Sequence, residues 1–167
     1  IQPPIGGAFG SKLDVYPYEP ICILLAKETG RPVKLTFTRE EEFLASPTRQ
    51  PVEFKIRAGM KKDGTFTFRD IDTLLNNGGY TSWGATTPYV TMRTCSSHYR
   101  VPHIRYRATA AYTNNPYAGS FRGYGNVQAT WAIETHVDRM AEIAGLNPIE
   151  IRLKNANEPN DITPQGS

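Results

Sequence analysis

Two short stretches of the 167-residue chain place residues of useful chemistry among glycines. In the first, Gly6, Gly7 and Gly10 flank Phe9, and Lys12 follows. In the second, Gly119, Gly123 and Gly125 flank Phe121, Arg122 and Tyr124. Glycine tolerates positive φ and leaves main-chain N–H groups uncovered, so an anion or an oxo group can approach such backbone closely. A helix is predicted beyond each loop, and its N-terminus adds potential favourable to negative charge. Arg122 supplies a planar fork of donors suited to oxygens lying in a plane. On the residues alone two readings stay open. Either the loops hold an anionic cofactor or ligand, or they are tight turns and Arg122 pairs with Glu134 or Asp138.

Other chemistries are poorly supplied. Lys12 is followed by Leu13 rather than Ser or Thr, and the glycine spacing is not that of a P-loop. No acidic residue closes a second strand at the distance a dinucleotide fold requires. His98, His103 and His136 lack metal-ligand spacing, among themselves or with the cysteines. Two cysteines, Cys22 and Cys95, make neither a disulfide framework nor an iron–sulfur cluster; Cys22, in an apolar run, reads as a buried thiol. There is no Gly-x-Ser-x-Gly elbow.

Nineteen Lys and Arg against sixteen Asp and Glu leave a formal charge of +3, and the basic residues are scattered. Arg105 and Arg107 alternate with Tyr106 and Ala108, which fits one polar strand face better than a nucleic-acid groove. The longest apolar run, residues 21–26, is far short of the roughly 20 residues a bilayer span needs. Neither nucleic acid nor membrane is expected as a partner. The chain begins at Ile1 and ends in a polar stretch, and we expect one domain, residues 1–167, continuing at both ends in a longer polypeptide.

The elements that must position the loops follow from periodicity and punctuation. Residues 1–12 read as a strand end entering a glycine turn. Residues 19–29 predict a helix, with Pro20 in its first turn and Gly30 as its stop. Its apolar residues lie around most of its circumference, so it is expected between layers. Alternation predicts strands at 33–38, 52–60 and 65–74, the last two joined by a Lys61–Gly64 hairpin carrying Asp-Gly. Glu40, Glu41 and Glu42 suit a solvated turn or helix start. Residues 76–97, rich in Gly, Thr and Ser with Tyr80, Trp83 and Tyr89, read as irregular chain with room for a helical turn, and 103–113 as a further strand. An amphipathic helix is predicted over 127–144, with Val127, Trp131, Ile133, Val137, Met140, Ala141 and Ala144 as its apolar stripe, and a shorter one over 148–154. Strands and helices mix without regular alternation, so the fold class is α+β, a mixed sheet packed with helices.

Four segments, in order, resemble the molybdenum hydroxylases of the xanthine dehydrogenase and aldehyde oxidoreductase family. Gly6-Gly-Ala-Phe-Gly-Ser-Lys12 is similar to that family's Gly-Gly-x-Phe-Gly-x-Lys loop. Thr29-Gly-Arg-Pro-Val-Lys34 with Thr38-Arg-Glu-Glu-Glu42 resembles the segment after it, and Ser120-Phe-Arg-Gly-Tyr-Gly-Asn-Val-Gln128 the Ala-Phe-Arg-Gly-Phe-Gly-x-Pro-Gln loop. Asp138-Arg-Met-Ala-Glu142 through Asn147-Pro-Ile-Glu-Ile-Arg-Leu-Lys-Asn155 completes the likeness.

The resemblance implies the first cofactor-binding domain of a large molybdenum subunit. Such enzymes hydroxylate a carbon with oxygen from water, using molybdenum held by molybdopterin, in some members as the cytosine dinucleotide. Electrons leave for iron–sulfur clusters and FAD on partner domains or subunits. The resemblance assigns Gly7, Phe9, Gly10 and Arg122 to the cofactor, with Phe9 and Arg122 near molybdenum and no side chain ligating it. Tyr124 and Leu13 are assigned to the substrate. Leu13 stands where purine-oxidising members carry Glu, and Val90, with Arg93 nearby, where they carry a substrate-binding Arg. An aldehyde or an N-heteroaromatic or aromatic substrate is therefore expected in place of xanthine. No Gly-x-Gly-Glu occurs, so the base glutamate is expected outside these residues and the chain alone inactive. The implied partners are the remainder of the molybdenum subunit, an iron–sulfur subunit and an FAD subunit, and the implied compartment is the cytoplasm. A non-catalytic module binding a phosphate ligand or a protein is the alternative.

Overall fold

The computed structural model describes residues 4–166. Its centre is a three-stranded mixed sheet of order β1-β2-β3. β1 (Val52–Met60) and β2 (Phe66–Gly78) form the hairpin that the Asp-Gly turn predicts, antiparallel with Ile56 opposite Ile71. β3 (His103–Tyr112) lies parallel to β2 on its other side. A parallel neighbour needs a long crossover, and here it contains a helix, α3 (Thr87–Ser97).

One sheet face alternates toward the core, where Phe66 and Ile71 meet Cys95 of α3, Ala129, Ile133, Val137 and Ala141 of α4 (Asn126–Ala144), and Ile151 of α5 (Pro148–Lys154). Burial pushes the Cys95 thiol up to about 12. The opposite face carries the alternating arginines, with Phe68 and Leu74 exposed beside Asp70 and Asp72. Arg105 Nε donates to Asp70 at 2.8 Å and Arg107 Nε to Asp72 at 2.7 Å. Asn147 caps α5 by accepting from the Ile149 N–H at 2.8 Å, and Gly145 closes α4 in a left-handed conformation.

Several expectations are corrected. Residues 76–97 hold far more than a helical turn, because the 11-residue α3 occupies their second half. Its inner face is Thr87, Thr91 and Thr94 with Cys95 and Ser96, and Thr91 Oγ1 returns its hydrogen bond to the Thr87 carbonyl at 2.8 Å, so threonine supplies most of that face with little apolar signal. Of the stripe predicted on α4, Ile133, Val137 and Ala141 are buried, whereas Val127 and Trp131 are exposed. The strand predicted over 33–38 does not form; alternation describes a strand only when a neighbour offers a ladder, and none pairs with it among the described residues. No strand covers residues 4–12, and residues 1–3 of that predicted strand lie outside the described residues. The three glutamates do start a helix, α2 (Arg39–Ala45), through a capping box. The Glu41 N–H donates to Thr38 Oγ1 at 3.2 Å, and the Thr38 N–H to Glu41 Oε2 at 2.8 Å.

The helix at residues 19–29 forms as α1 (Tyr18–Thr29), but it is not between layers: none of its residues is buried. Ile23 is 67% and Leu24 58% exposed, Cys22 is part-exposed rather than buried, and Phe43 and Leu44 of α2 are exposed too. So much exposed apolar surface favours association. The 167-residue chain by itself is expected to self-associate on size exclusion, and Ile23→Glu with Leu24→Lys to reduce the associated fraction. A monomeric unsubstituted chain at tens of micromolar, by light scattering, would refute this.

Candidate functional site

The two glycine loops meet. The Arg122 N–H donates to the Phe9 carbonyl at 2.7 Å, and a Cβ on Gly10 would run into the Ser120 carbonyl and lie 2.7 Å from Ser120 Oγ. Gly10 has φ +103°, so only glycine gives both the backbone conformation and the close approach. Phe9 itself sits at φ +50°, a left-handed conformation uncommon for an aromatic residue. The Ser11 N–H and Oγ both donate to the Ala8 carbonyl at 2.9 Å, and Lys12 Nζ reaches the Gly7 carbonyl at 2.7 Å. Lys12 is therefore a staple of its own loop.

The second loop is held from its other end. Gly125 ends it against α3, where a Cβ would come within 2.9 Å of Thr91 Oγ1. The Gly125 N–H donates to Gln128 Oε1 at 3.1 Å, and α4 starts at the next residue. The loop thus delivers Arg122 to the N-terminal side of a 19-residue helix, whose dipole favours negative charge there.

The structure brings Phe9, Gly10 and Arg122 together. The Arg122 guanidinium carbon lies 5.8 Å from the centroid of the Phe9 ring, and both side chains are exposed. The expected alternative of a salt bridge to Glu134 or Asp138 is not realised. Arg152 holds both acids instead, with Nε 2.8 Å from Glu134 and Nη1 2.7 Å from Asp138. No carboxylate among the described residues pairs with Arg122. An exposed guanidinium with no internal anion, beside uncovered loop backbone, can receive an oxygen-rich anionic group. Gly6 fits the same use: its φ is not left-handed and a Cβ there would meet nothing within 4 Å, so nothing among the described residues requires glycine at that position.

Tyr124 and Leu13 lie at the flank. Leu13 is exposed, its N–H 3.3 Å from the Gly10 carbonyl. Asp14 accepts a hydrogen bond from Ser82 Oγ, which ties the turn after Leu13 to the turn before Trp83. Trp83 meets Tyr124 edge to face, with centroids 6.4 Å apart. Val90 and Arg93 follow on α3. Trp83 and Arg49 are the residues that sequence reasoning missed. Trp83 stands out in the sequence as a large aromatic in a Gly/Thr-rich stretch, but nothing local ties it to Tyr124. Arg49 carries no local signal at all: its partners are Arg122 and Gln128, far along the chain. Among the described residues, no group of three His, Cys, Asp or Glu side chains could hold a metal ion directly. None of the helices there is long and apolar enough to cross a membrane.

Known proteins share this sequence and this fold. The molybdopterin cofactor-binding domain family matches residues 1–156, a span that includes both loops. The chain is 37% identical to the xanthine dehydrogenase molybdenum-binding subunit of Escherichia coli O157:H7, over 96% of this chain and 21% of that protein. It is 34% identical to the aldehyde oxidoreductase of Megalodesulfovibrio gigas, over 98% of this chain and 18% of that protein. Quinoline 2-oxidoreductase from Pseudomonas putida 86 superposes with a TM-score of 0.88 at 31% identity, over 95% of this chain and 21% of the other. The chain therefore spans only a small part of the length of these relatives. With residues 1–156 matched by the family and the fold matched over 95% of its length, the chain belongs to the molybdopterin cofactor-binding domain family.

Proposed function

We propose that this chain is a cofactor-holding domain in the large subunit of a molybdenum hydroxylase, and that the parent polypeptide continues beyond residues 1–167 in both directions. The observation that carries the reading is the locking of the two glycine loops, which sets Phe9, Gly10 and Arg122 side by side. Gly6, Gly7 and Gly10 offer backbone that a bulky cofactor can approach, and Arg122 offers a charged donor fork to its oxygens. The molybdenum–molybdopterin cofactor, cytosine dinucleotide form included, supplies the redox chemistry by which a substrate carbon gains oxygen from water. The chain's own residues bind and exclude. The Phe9 ring keeps water from one side of the site. Tyr124, backed by Trp83, presents an aromatic face to a planar substrate. Leu13 provides apolar surface and no donor or acceptor for a purine, so an aldehyde or an N-heteroaromatic or aromatic compound suits the site better than xanthine.

The proton-accepting glutamate lies elsewhere in the parent subunit, so this chain alone is inactive. Electrons pass to iron–sulfur clusters and FAD on partner domains or subunits, in the cytoplasm. The test is metal analysis of the parent protein co-expressed with its neighbouring chains, followed by assays with aldehydes, nicotinate, quinoline and xanthine. Molybdenum together with iron, and turnover of an aldehyde or heteroaromatic above xanthine, is the expected result. A complete, folded complex without molybdenum would overturn the reading, and turnover by the 167-residue chain alone would overturn the external base.

A further inference from the structure

We propose that Arg49 is a positioning residue that fixes Arg122 from behind; the inference rests on the hydroxylase reading above. Arg49 lies just ahead of β1, where residue 48 makes a parallel bridge to residue 118 at the start of the second loop. Its guanidinium makes three different contacts with that loop and the helix beyond. Nη2 donates to the Arg122 carbonyl at 3.0 Å, Nη1 donates to Gln128 Oε1 at 3.2 Å, and the planar group lies 4.8 Å from the Phe121 ring centroid.

The consequence is specific to Arg122. Its N–H is bonded to the Phe9 carbonyl and its C=O to Arg49, so the main chain is pinned on both sides of the Cα from which the functional guanidinium projects. Gln128 extends the clamp. Its Oε1 accepts from both Arg49 and the Gly125 N–H, while its Nε2 donates to the Gln50 carbonyl at 3.0 Å. Loop, helix start and the lead-in to β1 are thereby one hydrogen-bonded unit. Gly119, Gly123 and Gly125 leave the loop backbone few steric restraints of its own, so the restraint has to come from outside it. Only arginine serves here. A lysine ammonium can replace one donor at a time, but not two divergent donors together with a flat face over Phe121.

Arg49 touches neither cofactor nor substrate in this assignment, so its variants should separate positioning from binding. In the full-length parent protein with its partners, R49A is expected to lower kcat about 10- to 100-fold, as loss of an outer partner of a metal site does. KM and molybdenum content should change less than threefold. The paramagnetic resonance signal of the singly reduced metal should shift, and amide hydrogen exchange across residues 119–125 should quicken, with R49K intermediate in both. R100A is the control for general destabilisation, because Arg100 ties the chain's C-terminal segment through Lys154 and Glu158, away from the loops. It should change neither the resonance signal nor exchange in the loop. Unchanged loop exchange in R49A, or faster exchange with an unaltered signal and kcat, would overturn the clamp while leaving the hydroxylase reading intact. A wild-type complex without molybdenum would instead defeat that reading, and the clamp's purpose with it.

Discussion

Gly10→Ala is expected to strip most of the molybdenum from the parent protein while leaving it folded. Two costs coincide at this residue. The backbone sits at φ +103°, a region that costs an L-residue on the order of 1–3 kcal/mol. The new Cβ must also displace Ser120, adding about 1–3 kcal/mol of overpacking. Ser120 cannot yield cheaply. It is buried, and the Gly119 N–H beside it donates to the Thr48 carbonyl at 3.1 Å. The loops therefore have to part, and the 2.7 Å bond from the Arg122 N–H to the Phe9 carbonyl is the contact that goes. The core around Ile71, Ile133 and Val137 is built from other elements and should hold.

Gly145→Ala calibrates the effect. It too needs a left-handed residue, at φ +65°, but its Cβ would meet nothing within 4 Å, so only about 1 kcal/mol of strain applies. The measurement is molybdenum per protein by metal analysis, with thermal unfolding in parallel. G10A should hold less than about a tenth of the wild-type metal, the ratio that about 1.4 kcal/mol already produces, and G145A should hold nearly all of it. A fully loaded G10A would mean that loop contact is not what holds the cofactor.

What the sequence makes legible here is local. Gly64 in the hairpin, Asn147 before Pro148 and Gly145 after α4 announce themselves, because each does its work within a few residues. The glycine loops could be recognised as unusual for the same reason. Composition and spacing do not show their union, because the Phe9–Arg122 bond joins residues far apart in the chain; only the family resemblance put both at one cofactor. α3 escapes notice because Thr87, Thr91 and Thr94 bury polar side chains that find partners in Trp83, in Thr87 and in Asn126, so burial there leaves little apolar trace. Residues 33–38 and α1 fail in the other direction. Their patterns state how they would behave against a neighbour, and within the described residues the neighbour is missing. Arg49 shows the limit most sharply, for one charged residue beside a glutamine reads as surface until its partners are known.

Among the side chains of these 167 residues, Arg122 is expected to be the one on which turnover depends most and stability least. Arg122→Ala should lower kcat by about 10²–10³-fold, the scale of removing one aimed donor from a water-excluded site. It should shift unfolding free energy by no more than about 0.5 kcal/mol, since the side chain is exposed and makes no internal ion pair. Arg122→Lys should recover only part of the loss, because it keeps the charge but not the planar fork. Arg152 predicts the reverse. It holds Glu134 and Asp138, and the Tyr99 hydroxyl, raised to about 12 chiefly by burial, shares the Glu134 carboxylate. Arg152→Ala breaks that part-buried network and should cost about 1–3 kcal/mol of stability, yet leave kcat near wild type. Comparing the two arginines separates a charge that the fold consumes from one that it leaves free. If R122A lost stability and turnover together, as R152A loses stability, Arg122 would belong to the fold and the site would have to be sought elsewhere.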